Sequence, residues 1–207
     1  MPLLSVFSGL LRGAGSVIGV RDGTEEPRFE VIGRQGPVEI RRYGARLAAE
    51  TIVAAASETA ARSEGFRRLA GFIFGRNQGS TKIAMTAPVA QASARIAMTA
   101  PVGAAPAGDG AWAIRFFMPA EHSRATLPAP SDARVAIVDV PAEIIAVLRY
   151  SGVPTPAAAA EHRAALLRAL NAGPWQAAGE PTDWFYDPPW TVPPLRRNEA
   201  AVAVRPR

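Results

Sequence analysis

Among its 207 residues the chain has no cysteine and only two histidines, His122 and His162. Without thiols there is no disulfide, no cysteine nucleophile, no thiolate zinc site, no iron–sulfur cluster and no covalent c-type heme attachment. Two histidines cannot build a histidine-rich metal centre. Lysine is nearly missing too: Lys82 stands alone, and the other cations are arginines. Arginine forks suit bidentate contacts to carboxylate or phosphate. They are dispersed here, however, with no basic run longer than two and no helix-turn-helix or RNP-like pattern. A nucleic-acid partner is therefore not expected, despite a formal net charge of +5. No run of about 18 apolar residues occurs, so no transmembrane helix is expected. The thiol-free composition fits a reducing compartment, and the expected location is cytoplasmic. Nucleophile-elbow, zincin, P-loop and dinucleotide signatures are all missing, so the chain is not expected to be an enzyme.

What is present begins with a repeat. Lys82–Val89 reads KIAMTAPV, and Arg95–Val102 repeats seven of those eight letters. The offset is too short for a solenoid unit. Alternation of Ile83, Met85, Ala87 with Ala84, Thr86, Pro88 has the period of a strand. With Gln91-Ala92-Ser93-Ala94 as turn, the two copies are expected to form a hairpin that places Met85 and Met98 on one face. Pro88 and Pro101 cannot donate to a ladder and mark edges or bulges.

Residues 1–26 are expected to form a separate segment. Leu3, Phe7, Leu10, Leu11, Ala14, Val17 and Ile18 follow helical spacing, interrupted by glycines. A loose tail is the preferred reading, and weak contact of residues 1–20 with a membrane surface the alternative. The remainder, 27–207, reads as one domain with a longer repeat. Val38–Thr51 and Val135–Leu148 each show two alternating strands around a tight turn, at Gly44-Ala45 and Pro141-Ala142. A helical stretch follows each copy, Glu58–Phe74 and Pro156–Asn171. The second has Thr155 as N-cap, Pro156 at its first position and Gly173 beyond its end. Further strands are expected at 82–90, 95–102, 112–118, 182–186 and 198–204. The layout predicts an α+β fold: a curved antiparallel sheet or distorted β-barrel flanked by two helices, with a pseudo-twofold repeat of ββα halves.

Several of these runs together carry a resemblance. GFRRLAGFIFGRN at Gly65–Asn77, KIAMTAPVAQ, WAIRFFMPAEHS at Trp112–Ser123, EIIAVLRYSG at Glu143–Gly152 and YDPPWTVPPLRRNEAAV at Tyr186–Val202 resemble the SOUL heme-binding protein family, in its order and over nearly the whole domain. The resemblance implies a distorted barrel with two helices and a non-covalently held heme or related tetrapyrrole. It places the porphyrin against the first helix and the loop before the last strand, here Arg62–Ile73 and Asp187–Arg197.

Phe66, Leu69, Ala70 and Ile73 are then candidates for the wall of an apolar slot, and equally for docking the helix on the sheet. Arg62, Arg67, Arg68, Arg196 and Arg197 are candidates for pairing with propionates. Trp190, on a loop stiffened by Pro188, Pro189, Pro193 and Pro194, is a candidate wall for a flat ring. His162, beside the apolar stripe of the second helix, is the first candidate for an axial iron ligand, and His122 the second. Binding without an obligatory histidine is the default expectation. Glu50 alternates onto a strand face that can point inward. Two other functions stay open: a small-molecule effector-binding or interaction module, and a hydrolase acting on a small amphiphile.

Overall fold

Val38–Tyr43 (β2) and Arg46–Ala54 (β3) are separated only by Gly44-Ala45, yet they do not pair with each other. A computed structural model of the chain describes residues 24–93 and 110–207. The second copy of the repeat behaves in the same way. Val135–Val140 (β6) and Glu143–Tyr150 (β7) flank Pro141-Ala142, and β7 pairs with β2 while β6 pairs with β3. In both ladders the partner numbers sum to 186, from Val38↔Leu148 to Thr51↔Val135. The two copies thus form one antiparallel ribbon, bent where the two turns face each other. This is the register a twofold relation between the copies requires.

The other strands are β1 (Phe29–Gln35), β4 (Val89–Ser93), β5 (Ala111–Phe117), β8 (Trp175–Ala177), β9 (Thr182–Phe185) and β10 (Asn198–Pro206). The sheet runs β1-β2-β7-β10-β9-β4-β5-β3-β6, with β8 added to β10, and every pairing is antiparallel. The halves of the bent ribbon lie toward opposite ends of this order, so the sheet must curl. Two helices, α1 (Glu58–Ile73) and α2 (Pro156–Asn171), pack on its outer side. The α+β fold with a curved sheet and two helices therefore stands as expected, with the helix bounds matched almost to the residue.

Local chemistry explains both helices. Ser57 caps α1 by accepting from Ala60 N at 3.2 Å, and Thr155 caps α2 by accepting from Ala158 N at 3.2 Å. Gly65 lies mid-helix at a cost in propensity, and packing explains it. A Cβ there would stand 2.4 Å from Cγ1 of Ile114, so only glycine lets α1 approach β5 so closely. Strand alternation separates two environments. Ala49, Val53, Ile114 and Phe116 lie beneath α1 with Leu69, Phe72 and Ile73. Their neighbours Glu50, Ile52, Ala113, Arg115 and Phe117 line a cleft on the other face. Under α2 lie Val38, Ile40, Ala146, Leu148 and Ala200, with Leu166 and Leu170 from the helix.

The expected KIAMTAPV hairpin needs correction. Only Val89 of the first copy is in a strand, and β4 runs on through Gln91–Ser93, where a turn was expected. The preceding residues are held by specific bonds instead. Thr86 bridges Glu25 and donates its hydroxyl to Phe117 O, Ala87 N donates to Glu25 O, and the Ala87-Pro88 peptide is cis. Alternation alone cannot distinguish such an extended segment from a strand. The second copy, 95–102 with Met98, lies outside the described residues. So does most of the N-terminal segment, but Glu25 and Glu26 are attached to the domain, Glu26 by an ion pair to Arg197 at 3.0 Å.

Candidate functional site

Helix α1 divides its apolar residues between two sides. Leu69 and Ile73 are buried against the sheet, together with Phe72. Phe66 and Phe74 remain 40% and 60% exposed, with Ala70 half-buried between them. Spacing explains the division: 66, 70 and 74 repeat at four residues and form one ridge, whereas 65, 69, 72 and 73 face the sheet. With Ser63, Arg67, Gly71 and Arg76 the outer ridge lines a groove of about 490 Å³. Phe66 is fixed at one end by an edge-on contact with Phe116, ring centroids 5.3 Å apart. Phe74 and Arg76 were not singled out from sequence, although the spacing from Phe66 to Phe74 was there to be read.

The arginine candidates behave differently from one another. Arg67 stands on the groove wall, paired with Glu64. Arg76 makes no side-chain hydrogen bond or ion pair with any described residue. Arg68 ties α1 to the sheet, bonding Glu64 at 2.8 Å and also Thr51 and Ile52 O. Arg62 stacks 4.3 Å from the Phe185 ring, and burial pulls its pKa down. Arg196 donates to Thr191 O at 2.7 Å and to Pro189 O, holding the proline loop. Arg197 is engaged by Glu199 and Glu26 and lies 3.7 Å from the Tyr186 ring. Trp190 is 63% exposed on that loop. Neither it nor Arg196 nor Arg197 belongs to the lining of the α1 groove.

The histidines are elsewhere as well. His162 stacks on Tyr150, ring centroids 3.9 Å apart, on α2. His122 lies beside Glu121 at 3.8 Å in a loop. No described residue lining the α1 groove is a histidine, methionine or tyrosine, and the described residues hold no cluster of three His, Cys, Asp or Glu. The groove thus fits a flat apolar ring with anionic substituents, and it supplies no donor for an iron at its centre.

Two buried carboxylates escaped the sequence reading. Glu199 is fully buried and accepts from Arg41 at 2.9 and 3.1 Å, Arg197 at 2.9 Å and Tyr186 at 2.7 Å. Burial opposes its ionisation, but the bonds and charges of Arg41 and Arg197 prevail and hold its pKa below the ordinary value. Asp183 is nearly as buried, pairs through Oδ2 with Arg163, and has no partner for Oδ1. Burial pushes its pKa up to about 6, with Arg163 opposing the shift and Glu58 adding to it. Glu50 does point inward, into the cleft, where it is ion-paired with Arg115. Strand alternation signalled Glu50; no local pattern distinguishes Glu199 or Asp183 from solvent-facing acids.

Comparison with known proteins supports the fold and names the family. The chain resembles the C-terminal domain of EcmrR, with a TM-score of 0.53, 9% identity, and coverage of 82% of this chain and 98% of that one. An uncharacterized conserved protein from Listeria innocua gives a TM-score of 0.56 at 8% identity, covering 89% and 94%. A hydrolase from Listeria innocua gives 0.53 at 8% identity, covering 81% and 91%. At such identities the likeness concerns the fold alone. No curated protein sequence is significantly similar to the chain. The model of the SOUL heme-binding proteins matches residues 24–203, which takes in both ββα halves, α1 with its outer groove and the proline loop; the chain belongs to the SOUL heme-binding protein family.

Proposed function

We propose that the protein binds heme or a related tetrapyrrole non-covalently on the outer face of α1, as a carrier, buffer or sensor, without an obligatory histidine. The observation that carries this reading is the exposed ridge Phe66, Ala70, Phe74 between Arg67 and Arg76, in a member of a heme-binding family. One ring face lies against Phe66 and Phe74, and the propionates meet the two guanidinium groups as charge-assisted pairs. Apolar burial supplies most of the affinity, at about 25 cal/mol per Å² before association costs. Pairs at this wet rim add about 1 kcal/mol each or less. Leu69 and Ile73 support the site from below by docking the helix. Trp190 stands on the proline loop outside the groove lining, and Arg196 and Arg197 hold that loop in place.

Spectral titration of the full chain with hemin, and fluorescence titration with metal-free protoporphyrin, test the reading. Similar affinities are expected, because ring burial rather than iron ligation holds the ligand. Phe66→Asp should abolish binding, since a carboxylate would be forced against the ring. His122→Ala combined with His162→Ala should leave affinity within about a few-fold. Loss of the Soret shift in the double histidine variant, with Phe66→Asp still binding, would place an iron-ligated site elsewhere.

A further inference from the structure

We propose that the cleft on the concave face of the sheet is a second binding site, independent of the α1 groove, for an amphiphile with a carboxylate head and an apolar body. The cleft has a volume of about 400 Å³. Strand alternation builds it from residues that point away from α1, so the sheet itself separates the two sites. Its floor is apolar, with Ala90, Ala113, Phe117, Ile145, Trp184 and Ala203.

Arg46 determines the head group. Its side chain is only 10% exposed, and its guanidinium lies 4.3 Å from the Tyr43 ring and 4.6 Å from the Phe117 ring. One nitrogen, Nη2, reaches Glu143, while Nε and Nη1 are buried without any acceptor. Buried N–H groups are nearly always satisfied, and a charged one without a partner is costly. Burial already pulls the Arg46 pKa down, with Glu143 opposing the shift. An incoming acceptor oxygen would supply the missing bond. Glu143 and Glu50 are each engaged by an arginine, Arg46 and Arg115, so neither pair presents an uncompensated negative charge to a ligand, and the third acid of the lining, Glu180, is exposed to solvent. Arg115 is nearly half exposed at the cleft and stands as the second cation for a carboxylate. The aromatic rings fix the guanidinium plane and leave it no other acceptor among the described residues.

The test uses the full chain and a dansylated fatty acid as fluorescent probe, displaced in turn by decanoate, decanol and decyltrimethylammonium. Decanoate is expected to displace the probe at about tenfold lower concentration than decanol, and decyltrimethylammonium to be the weakest. Arg46→Met, which keeps an apolar stem between the two rings, should erase the preference for decanoate over decanol. Ala203→Phe, which fills the floor, should weaken all three. Phe66→Asp on α1 should change none of these values, and hemin should not displace the probe; in this way failure here and failure of the tetrapyrrole reading are told apart. The proposal is overturned if the ammonium compound competes as well as decanoate, if Arg46→Met retains the carboxylate preference, or if the folded protein does not take up the probe.

Discussion

Glu199 and Asp183 lie on paired strands, β10 and β9, and are 0% and 2% exposed, yet their ionisation is pushed in opposite directions. Burial raises both. The difference lies in what each oxygen meets. Glu199 has two arginines and a tyrosine distributed over both oxygens, whereas Asp183 has Arg163 on one oxygen and nothing on the other. Glu58, close enough to act on Asp183, adds repulsion and draws on the same arginine. A buried charge is thus sustained by its count of donors rather than by the presence of one partner. The Glu199 cluster ties β10 to β2 through Arg41 and to Glu26 through Arg197. The Asp183 cluster joins β9 to both helices and remains incomplete.

The largest expected effect is at Glu199. Glu199→Ala should cost about 3–5 kcal/mol in urea unfolding at pH 7, because Arg41 and Arg197 lose their shared acceptor while staying buried. A loss below about 1 kcal/mol would mean that Glu39 and Glu26 suffice for those arginines. The second effect is a pair of opposite pH slopes. The Glu199 carboxyl, depressed below its usual 4.5, contributes stability present above that pH and lost as pH falls through its folded pKa. Asp183, raised from 3.8 to about 6, contributes stability that is full below 3.8 and lost as pH rises through about 6. Asp183→Asn should therefore flatten the stability profile between those two values and be neutral to stabilising at pH 7. An unchanged slope in that window would show that folding does not raise the Asp183 pKa.

A smaller effect sharpens the donor count. Tyr186→Phe removes one of the bonds to Glu199 and leaves the arginine contacts, so it should cost about 1–2 kcal/mol. A cost as large as that of Glu199→Ala would mean that the network fails as a unit rather than donor by donor. Smallest is the cap of α1, away from both clusters. Ser57→Ala should lower stability by about 1 kcal/mol, with no change in either pH slope. A change of slope would show that α1 fraying reaches Asp183 through Glu58, the first residue of the helix.

Much of the fold was legible because its signals are local. Both helices carry their own caps and apolar spacing, and the Val38 and Val135 segments carry alternation on either side of a turn. Pairing was not legible. A tight turn between two alternating segments looks the same whether they form a hairpin or, as here, exchange partners between copies. KIAMTAPV misled for a related reason, since its alternation is real but Thr86 and Ala87 bond to Phe117 and Glu25 rather than joining a ladder.

For the candidate site, residue types were readable and orientations were not. The helix named in advance does carry the exposed ridge. Which of its apolar residues face outward depends on where the sheet lies, and contacts such as the close approach of Gly65 to Ile114 set that. Arg197 looked like a partner for a ligand, but Glu199, two residues later in β10, takes it. By itself the sequence determined the elements, their order, the twofold pattern and a chemistry without thiols and with few imidazoles, because these depend on neighbours along the chain. The tertiary structure alone decided which strands pair, which arginines are already engaged, and that one hollow lies on the outer face of α1 and another on the concave face of the sheet. Those outcomes depend on contacts between residues up to 171 positions apart, such as Glu26 and Arg197, whose energies no local window contains.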